Sequence, residues 1–364
     1  MSRLIHPYPS TAFINPVNTA SGDPGLAEAF KNLVVFICDA LRYDYARLLG
    51  LGHKVIRALA PSIHTPPSVA SLLTGESPLV HGVGSFFQRL SLRKTPIRYF
   101  KTWEFFDHPY DPLRRIMLGI RREPRDIKAV REPFLWIERM TFTHTPYGYS
   151  WLEAGYELSK TFEERAIDGR EYIRKLKSGE LNPYEEYMKG VVKTREHIKA
   201  RLSVLEEMGV LDRTLVAICS DHGEILDPRY PTTHSFPPHP DLVQVPIIFL
   251  PEQELPPVMR LRDLLPTALD IMGISWRKEQ SVLGKDIKKV IDACVSPDPL
   301  DLTSLWECNT SGARPLCALR GSALMRSIKL LMIKTFAHAS LASFLLRAYL
   351  RGQEPLSWAL KPLS

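Results

Sequence analysis

Residues 33–39, LVVFICD, form an unbroken apolar run closed by an acid. A strand that is apolar on both faces needs cover on both, which is how parallel and mixed sheets sit between layers of helix. The pattern recurs: TLVAICSD at 214–221 ends the same way, FLWIERMTF at 134–142 reads as another strand, and VPIIFL at 245–250 as a further buried one. Helical stretches lie between and around them. One runs from Ala40 to about Leu49 and stops at Gly50 and Gly52; a short one from Pro67 to Leu73 is closed by Gly75. A long amphipathic helix from Tyr187 to Met208 ends at Gly209, and DLLPTALDIMGI at 263–274 is capped at Gly273. Strands alternating with helices define an α/β chain. In such folds ligands collect beyond the carboxyl ends of the strands, where Asp39 and Asp221 fall.

At 364 residues the chain accommodates one large α/β domain with an appendage. The expected division is an N-terminal extension at 1–29, a catalytic domain at 30–290 and a C-terminal subdomain or helical extension at 291–364, since the pattern weakens after Asp286. The five cysteines, Cys38, Cys219, Cys294, Cys308 and Cys317, are odd in number and show no CxxC spacing. That argues against a disulfide framework or zinc ribbon and for a reducing, cytoplasmic setting. Cys38 and Cys219 lie near the ends of apolar runs and read as small buried hydrophobes. Arg3 is followed by no apolar region, and Pro7, Pro9 and Pro16 break the segment, so no signal peptide is expected. The uncharged stretch from Thr335 to Leu346 is 12 residues long. A span needs about 20, so no transmembrane segment is expected.

The net charge of +7 is concentrated: residues 86–131 hold 12 Lys or Arg against 5 Asp or Glu, a local excess of +7. A basic insert of this kind suits an anionic small-molecule substrate, a lipid- or glycan-linked ester, or peripheral contact with an anionic membrane. The plainer alternative is a solvated face on an inserted loop. No nucleic-acid-binding motif accompanies the charge, so nucleic acid is not an expected partner. The oligomeric state is not legible.

The stretch HTPPSVASLLTG at 64–75 places Thr65 just before two prolines and an apolar helix. Thr65 could be an N-cap with Pro66 at the first helical position, or an oxygen nucleophile beside a metal. Asp39, Thr65, Asp221 and His222 together make a ligand set of two carboxylates, an imidazole and an alkoxide, suited to Zn or Mn more than to Mg or Ca. SDHGE at 220–224 sets two ligand types at a strand end, with Gly223 for a sharp turn and Glu224 as a solvated acid. The helix start after Pro66 is expected to add backbone donors and a positive dipole end for a phosphate or sulfate group.

VVFICDALRYD, TPPSVASLLTG followed by HGVG, THTPY, SDHGE, VPIIF and DLLPTALDIMGI stand in the order found in the sulfatase branch of the alkaline phosphatase superfamily, and the chain resembles that family over about residues 30–290. The resemblance implies an alkaline-phosphatase-like central mixed β-sheet between helices, and a metal held by Asp39, Thr65, Asp221 and His222. It also implies departures. Sulfatases carry a Cys or Ser, converted to formylglycine, in a C/S-x-P-x-R signature; here Thr65 holds that place and Val69 stands for the arginine. Thr cannot make the aldehyde. A threonine nucleophile is similar to those of the family's phosphodiesterases, phosphopentomutases and phosphoethanolamine or glycerolphosphate transferases, which favours phosphodiester or phosphomonoester chemistry. Phe142 stands where relatives usually show an acid, so one metal is expected and a second is not. His144 and His234 are then candidates for substrate contact or for protonating the leaving group, and by spacing His234 fits the family histidine better than His239. His81 is read as supporting a turn. Arg42, Tyr43, Lys193 and Arg195 are read as surface residues. Two alternatives compete: a conventional sulfatase, disfavoured by the missing Cys and Arg, and a catalytically silent sulfatase-like binding protein. The second draws on the basic insert and the apolar helix at 336–352.

Overall fold

The computed structural model describes residues 30–51, 54–109, 111–148, 162–227, 239–286 and 288–290. The expected extension at 1–29, the C-terminal segment 291–364 with the apolar helix expected at 336–352, His234, and Cys294, Cys308 and Cys317 lie outside the described residues.

Seven strands form one sheet: β1 (Asn32–Cys38), β2 (Ile56–Leu59), β3 (Thr102–Phe106), β4 (Phe134–Met140), β5 (Thr214–Cys219), β6 (Gln244–Leu250) and β7 (Val258–Arg260), in the order β3-β4-β1-β5-β6-β2-β7. β3, β4, β1 and β5 run parallel; β6 is antiparallel to both β5 and β2, and β7 is parallel to β2. The sheet is therefore mixed, as expected. β1, an interior strand between β4 and β5, is buried along its whole length.

Alternation along β1 sends its side chains to two separate cores. Leu33, Val35 and Ile37 pack on one face with Val69 and Leu72 of helix α1 (Thr65–Thr74) and with Leu264, Leu265 and Leu269. Val34, Phe36 and Cys38 pack on the other with Tyr187, Val191, Ile198 and Leu205. Past α1 the chain forms helices α2 (Pro78–His81), α3 (Phe162–Ser178), α4 (Pro183–Glu207), α5 (Pro240–Val243) and α6 (Leu264–Ile271). α6 thus covers the α1 face and α4 the opposite one, giving a sheet between helix layers. α4 begins earlier than its apolar pattern suggests, because Asn182 accepts a hydrogen bond from the Tyr184 N–H at 3.0 Å and Pro183 fits the first turn.

Three expectations are corrected. The stretch after Asp39 is not an α-helix from Ala40: Ala40 takes φ +63°, and only Tyr43–Leu49 coils, as a 3-10 helix. The 263–274 helix is likewise shorter, with a 3-10 turn at Leu261–Asp263 leading into α6. The basic 86–131 segment is more than an inserted loop, since β3 within it forms one edge of the sheet. Cys38 and Cys219 are buried and unpaired, as expected. Among the described residues no helix is long and apolar enough to cross a membrane.

Candidate metal centre

β1 and β5 are neighbours and end side by side, so the residues that follow them, Asp39 and Asp221, meet at the carboxyl edge of the sheet. Their loops are fastened to each other. The Leu41 N–H donates to Ser220 Oγ at 2.9 Å, the Ser220 hydroxyl donates to the His222 carbonyl at 2.6 Å, and Thr143 Oγ1 donates to the Asp39 carbonyl at 2.7 Å. The buried Tyr187 hydroxyl accepts from Arg42 N–H and donates to the Ala40 carbonyl, both at 2.8 Å, holding the left-handed turn at Ala40 in place.

Each carboxylate has one anchored oxygen and one oxygen without a partner. Asp221 Oδ1 accepts N–H groups from Ala40 at 3.2 Å and His222 at 3.0 Å; Asp39 Oδ2 accepts the Arg139 guanidinium at 2.6 and 2.9 Å. Asp39 Oδ1 and Asp221 Oδ2 are buried with no hydrogen-bond partner, and each lies 3.6 Å from His222 Nε2. Buried carboxylate oxygens are normally satisfied, so two orphaned ones facing a common imidazole suit the binding of a cation. His222 is set up as a ligand: its Nδ1–H donates to the Gly223 carbonyl at 2.8 Å, which leaves the lone pair on Nε2. Asp39, Asp221 and His222 offer ligand atoms that all lie within 4.8 Å of one another. The residues fit a divalent metal.

Thr65 completes the quartet read from the sequence. Its side chain is nearly buried and its Oγ1 lies 3.3 Å from His222 Nε2. It is the first residue of α1, with His64 as the capping position, so the alternative reading of Thr65 as N-cap does not hold. The expected backbone donors are missing, however. Pro66 and Pro67 carry no N–H, and the Ser68 N–H returns to the His64 carbonyl at 3.3 Å. A substrate anion at this helix end meets the dipole and side chains, not a row of free amides.

The sequence reading missed Arg139. It sits in β4 beside Glu138, and both are buried. Two adjacent charges inside an apolar strand were the available signal, because buried charges persist when paired or functional. Besides Asp39, Arg139 contacts Asp107 at 2.9 Å and Asp111 at 3.1 Å, residues that sequence counting treated as bulk charge of the basic insert. One guanidinium cannot neutralise three buried carboxylates. Burial and the neighbouring Asp111 push the Asp107 carboxyl up to about 7. Burial also pushes Asp39 upward, but Arg139, His144 and His222 outweigh it and hold that carboxyl well below the ordinary range. Glu138 is satisfied separately by His197, Arg201 and the Trp136 indole.

The other candidates fall as follows. His144 lies at the site: its Nδ1–H donates to the Thr145 carbonyl at 2.7 Å, and its ring stands 6.5 Å from that of His222. Phe142 is buried in the core on the α4 face and offers no ligand. Glu224 is fully buried, contrary to its reading as a solvated acid, and accepts from Thr145 Oγ1 at 3.4 Å. Gly223 is needed for close approach and not for a sharp turn, since a Cβ there would lie 1.7 Å from the Asp241 carbonyl oxygen. His239 caps α5, its Nδ1 accepting from the Asp241 N–H at 3.2 Å. Arg42 is mostly buried, paired with Asp241 and Asp44 at 2.7 Å each, and Tyr43 stacks under Arg57 at 4.5 Å. Neither is the plain surface residue expected. Lys193 is exposed but donates to the Gly148 carbonyl at 2.7 Å, and Arg195 is half-buried. His81 does support its turn: Val83 N–H donates to Nδ1 at 3.0 Å, and Nε2 lies 3.0 Å from Ser71 Oγ.

The chain is similar to several known proteins. Residues 128–274 match the family model described as Sulfatase. A curated relative from Haloferax volcanii, the low-salt glycan biosynthesis sulfotransferase Agl7, is 28% identical over 280 residues, covering 71% of this chain and 64% of the relative. The chain thus spans less than two thirds of that relative's length. Among solved structures, a 2-O GAG sulfatase aligns with TM-score 0.49 at 16% identity, over 72% of this chain and 76% of that one. The C-terminal periplasmic domain of the Campylobacter jejuni phosphoethanolamine transferase EptC aligns with TM-score 0.48 at 14% identity, over 70% and 94%. The family match covers β4, β5 and the Asp221–His222 pair, so residues 128–274 carry a sulfatase-family domain.

Proposed function

We propose that this chain is a metal-dependent transferase or hydrolase of phosphate- or sulfate-type esters that uses Thr65 as a covalent nucleophile. The observation that carries the reading is the convergence of the Thr65 hydroxyl, the His222 Nε2 and the two partnerless carboxylate oxygens of Asp39 and Asp221. A silent binding protein has no use for such a set. Asp39, Asp221, His222 and Thr65 would hold the metal, with Zn or Mn suiting their nitrogen and oxygen donors. A bound divalent ion supplies positive charge that lowers the hydroxyl pKa and offsets charge on the transferred group.

The Thr65 hydroxyl loses its proton to solvent, and the Thr65 oxygen attacks phosphorus or sulfur. A bond forms to Thr65 as the bond to the ester oxygen breaks. His144, protonated and held by its Nδ1–H bond to the Thr145 carbonyl, donates from Nε2 to the departing oxygen. Water or an acceptor hydroxyl then gives its proton to His144, attacks the same centre and releases Thr65. Arg139 holds Asp39 in its one useful orientation throughout.

Threonine in place of the formylglycine precursor supports phosphoryl chemistry. A second reading, sulfuryl transfer to a glycan hydroxyl, is favoured by the name of the Haloferax volcanii relative. The test compares wild type and Thr65→Ala on aryl phosphate monoesters, diesters and an aryl sulfate, with bound metal quantified in both. The proposal expects a fall of about a thousandfold or more in turnover with metal largely retained. Turnover that survives Thr65→Ala would sink the nucleophile assignment, and the preferred ester separates phosphoryl from sulfuryl transfer.

A further inference from the structure

A cavity of about 500 Å³ is lined by Arg89, Arg115, Ile116, Gly119 and Arg121, and by none of the four metal-site residues. We propose that it is a second oxyanion-binding site, which takes a sulfate or phosphate group. Its volume falls in the range of small-ligand pockets. Guanidinium groups are the side chains best matched to such oxyanions, because their planar donors can bind two oxygens at once.

Two further observations give the cavity a built character. The first is the placement of Arg89. Gly119 takes φ +68°, and a Cβ there would lie 2.5 Å from Arg89 Nη2 and 2.9 Å from Cζ. The guanidinium therefore lies directly against the Gly119 backbone, whose left-handed φ itself favours glycine. The second is the disposition of charge. Of the five acids in residues 86–131, Glu104 is buried between Arg114 and Arg122, and Asp107 and Asp111 are turned inward onto Arg139. Three acids are thus used inside the fold, while the cavity's arginines are exposed at its surface. Among the described residues neither Arg89 nor Arg121 forms an ion pair. The basic excess read from the sequence is therefore concentrated outward. The cavity is also joined to the metal centre through the chain: the Arg115 N–H donates to the Asp111 carbonyl at 2.9 Å, and the Asp111 side chain contacts Arg139. The assignment does not depend on the role given to Thr65.

The test is calorimetric titration of the full chain at constant ionic strength with inorganic pyrophosphate and with a heparin-derived tetrasaccharide. The proteins are wild type, Arg89→Gln/Arg121→Gln, Gly119→Ala and Asp221→Asn. The inference expects binding to wild type, affinity weakened about tenfold or more in the double variant and in Gly119→Ala, and affinity retained in Asp221→Asn. Pyrophosphate binding as tightly as the oligosaccharide identifies a free anion as occupant; tighter oligosaccharide binding identifies a group borne on a glycan. Thermal melts confirm that each variant is folded. No binding to wild type, unchanged affinity in both cavity variants, or loss in Asp221→Asn alone would overturn the site. Retained binding in Asp221→Asn also separates this inference from the catalytic reading.

Discussion

At the scale of single residues, the site depends on which oxygen of each carboxylate is committed. Asp39 offers one oxygen to Arg139 and keeps the other for the centre, so Arg139 is a positioning residue whose loss should be costly in two ways. It would free Asp39 to rotate, and it would leave Asp107 and Asp111 buried without their cation. Removing one partner of a buried ion pair typically costs about 3–5 kcal/mol. Arg139→Gln is therefore expected to lower the unfolding free energy measured by urea titration by an amount of that order, and Arg139→Lys to recover only part, because an ammonium cannot span Asp39 and the Asp107–Asp111 pair together. A stability for Arg139→Gln within about 0.5 kcal/mol of wild type would show the network to be unimportant. That Asp39, Thr65, Asp221 and His222 come together was legible from residue type and position at strand and helix ends. Arg139, Asp107 and Asp111 were not, since their meaning comes from partners 28 or more positions away.

At the scale of elements, the long buried strands and α4 were legible because burial on both faces, or on one helical stripe, writes a pattern several residues long. β2, β3 and β7 were not. They are short, and β3 lies within a stretch whose sequence is dominated by charge. The turn after β1 was misread as helix because its geometry is fixed by distant groups, the Tyr187 hydroxyl and Ser220 Oγ, and not by local propensity. The same dependence makes the loop after β5 sensitive. Gly223→Ala would drive a methyl group against the Asp241 carbonyl, and the backbone would have to move. Overpacking of this kind costs about 1–3 kcal/mol, and here it also displaces His222. The expected outcome is a lower melting temperature together with weaker metal retention in equilibrium dialysis; a variant with unchanged metal content would show that the loop tolerates the shift.

At the scale of the whole molecule, the fold is a mixed sheet that gathers its chemistry at one edge, and its acid stability has an identifiable contributor. Burial pushes His81 down from 6.5 to about 4, the nearby Glu76 only partly opposing. The folded state thus binds that proton less readily than the unfolded chain. His81 contributes nothing to pH dependence above about 6.5, and stability should fall as pH drops from there towards 4, by about 3 kcal/mol in all. His81→Asn should flatten the stability profile across that window in denaturant titrations; an unchanged slope would assign the acid limb to other groups. The central claim, that Thr65 attacks the ester and carries the transferred group, is open to the most direct check. Wild type mixed with an activated aryl phosphate or sulfate and quenched in acid is digested, and the peptide containing Thr65 is sequenced by mass spectrometry. The account predicts a phosphoryl or sulfuryl group on Thr65 in wild type and none in Asp221→Asn. An adduct on another residue, or turnover with Thr65 unmodified under conditions that trap the intermediate, would contradict it.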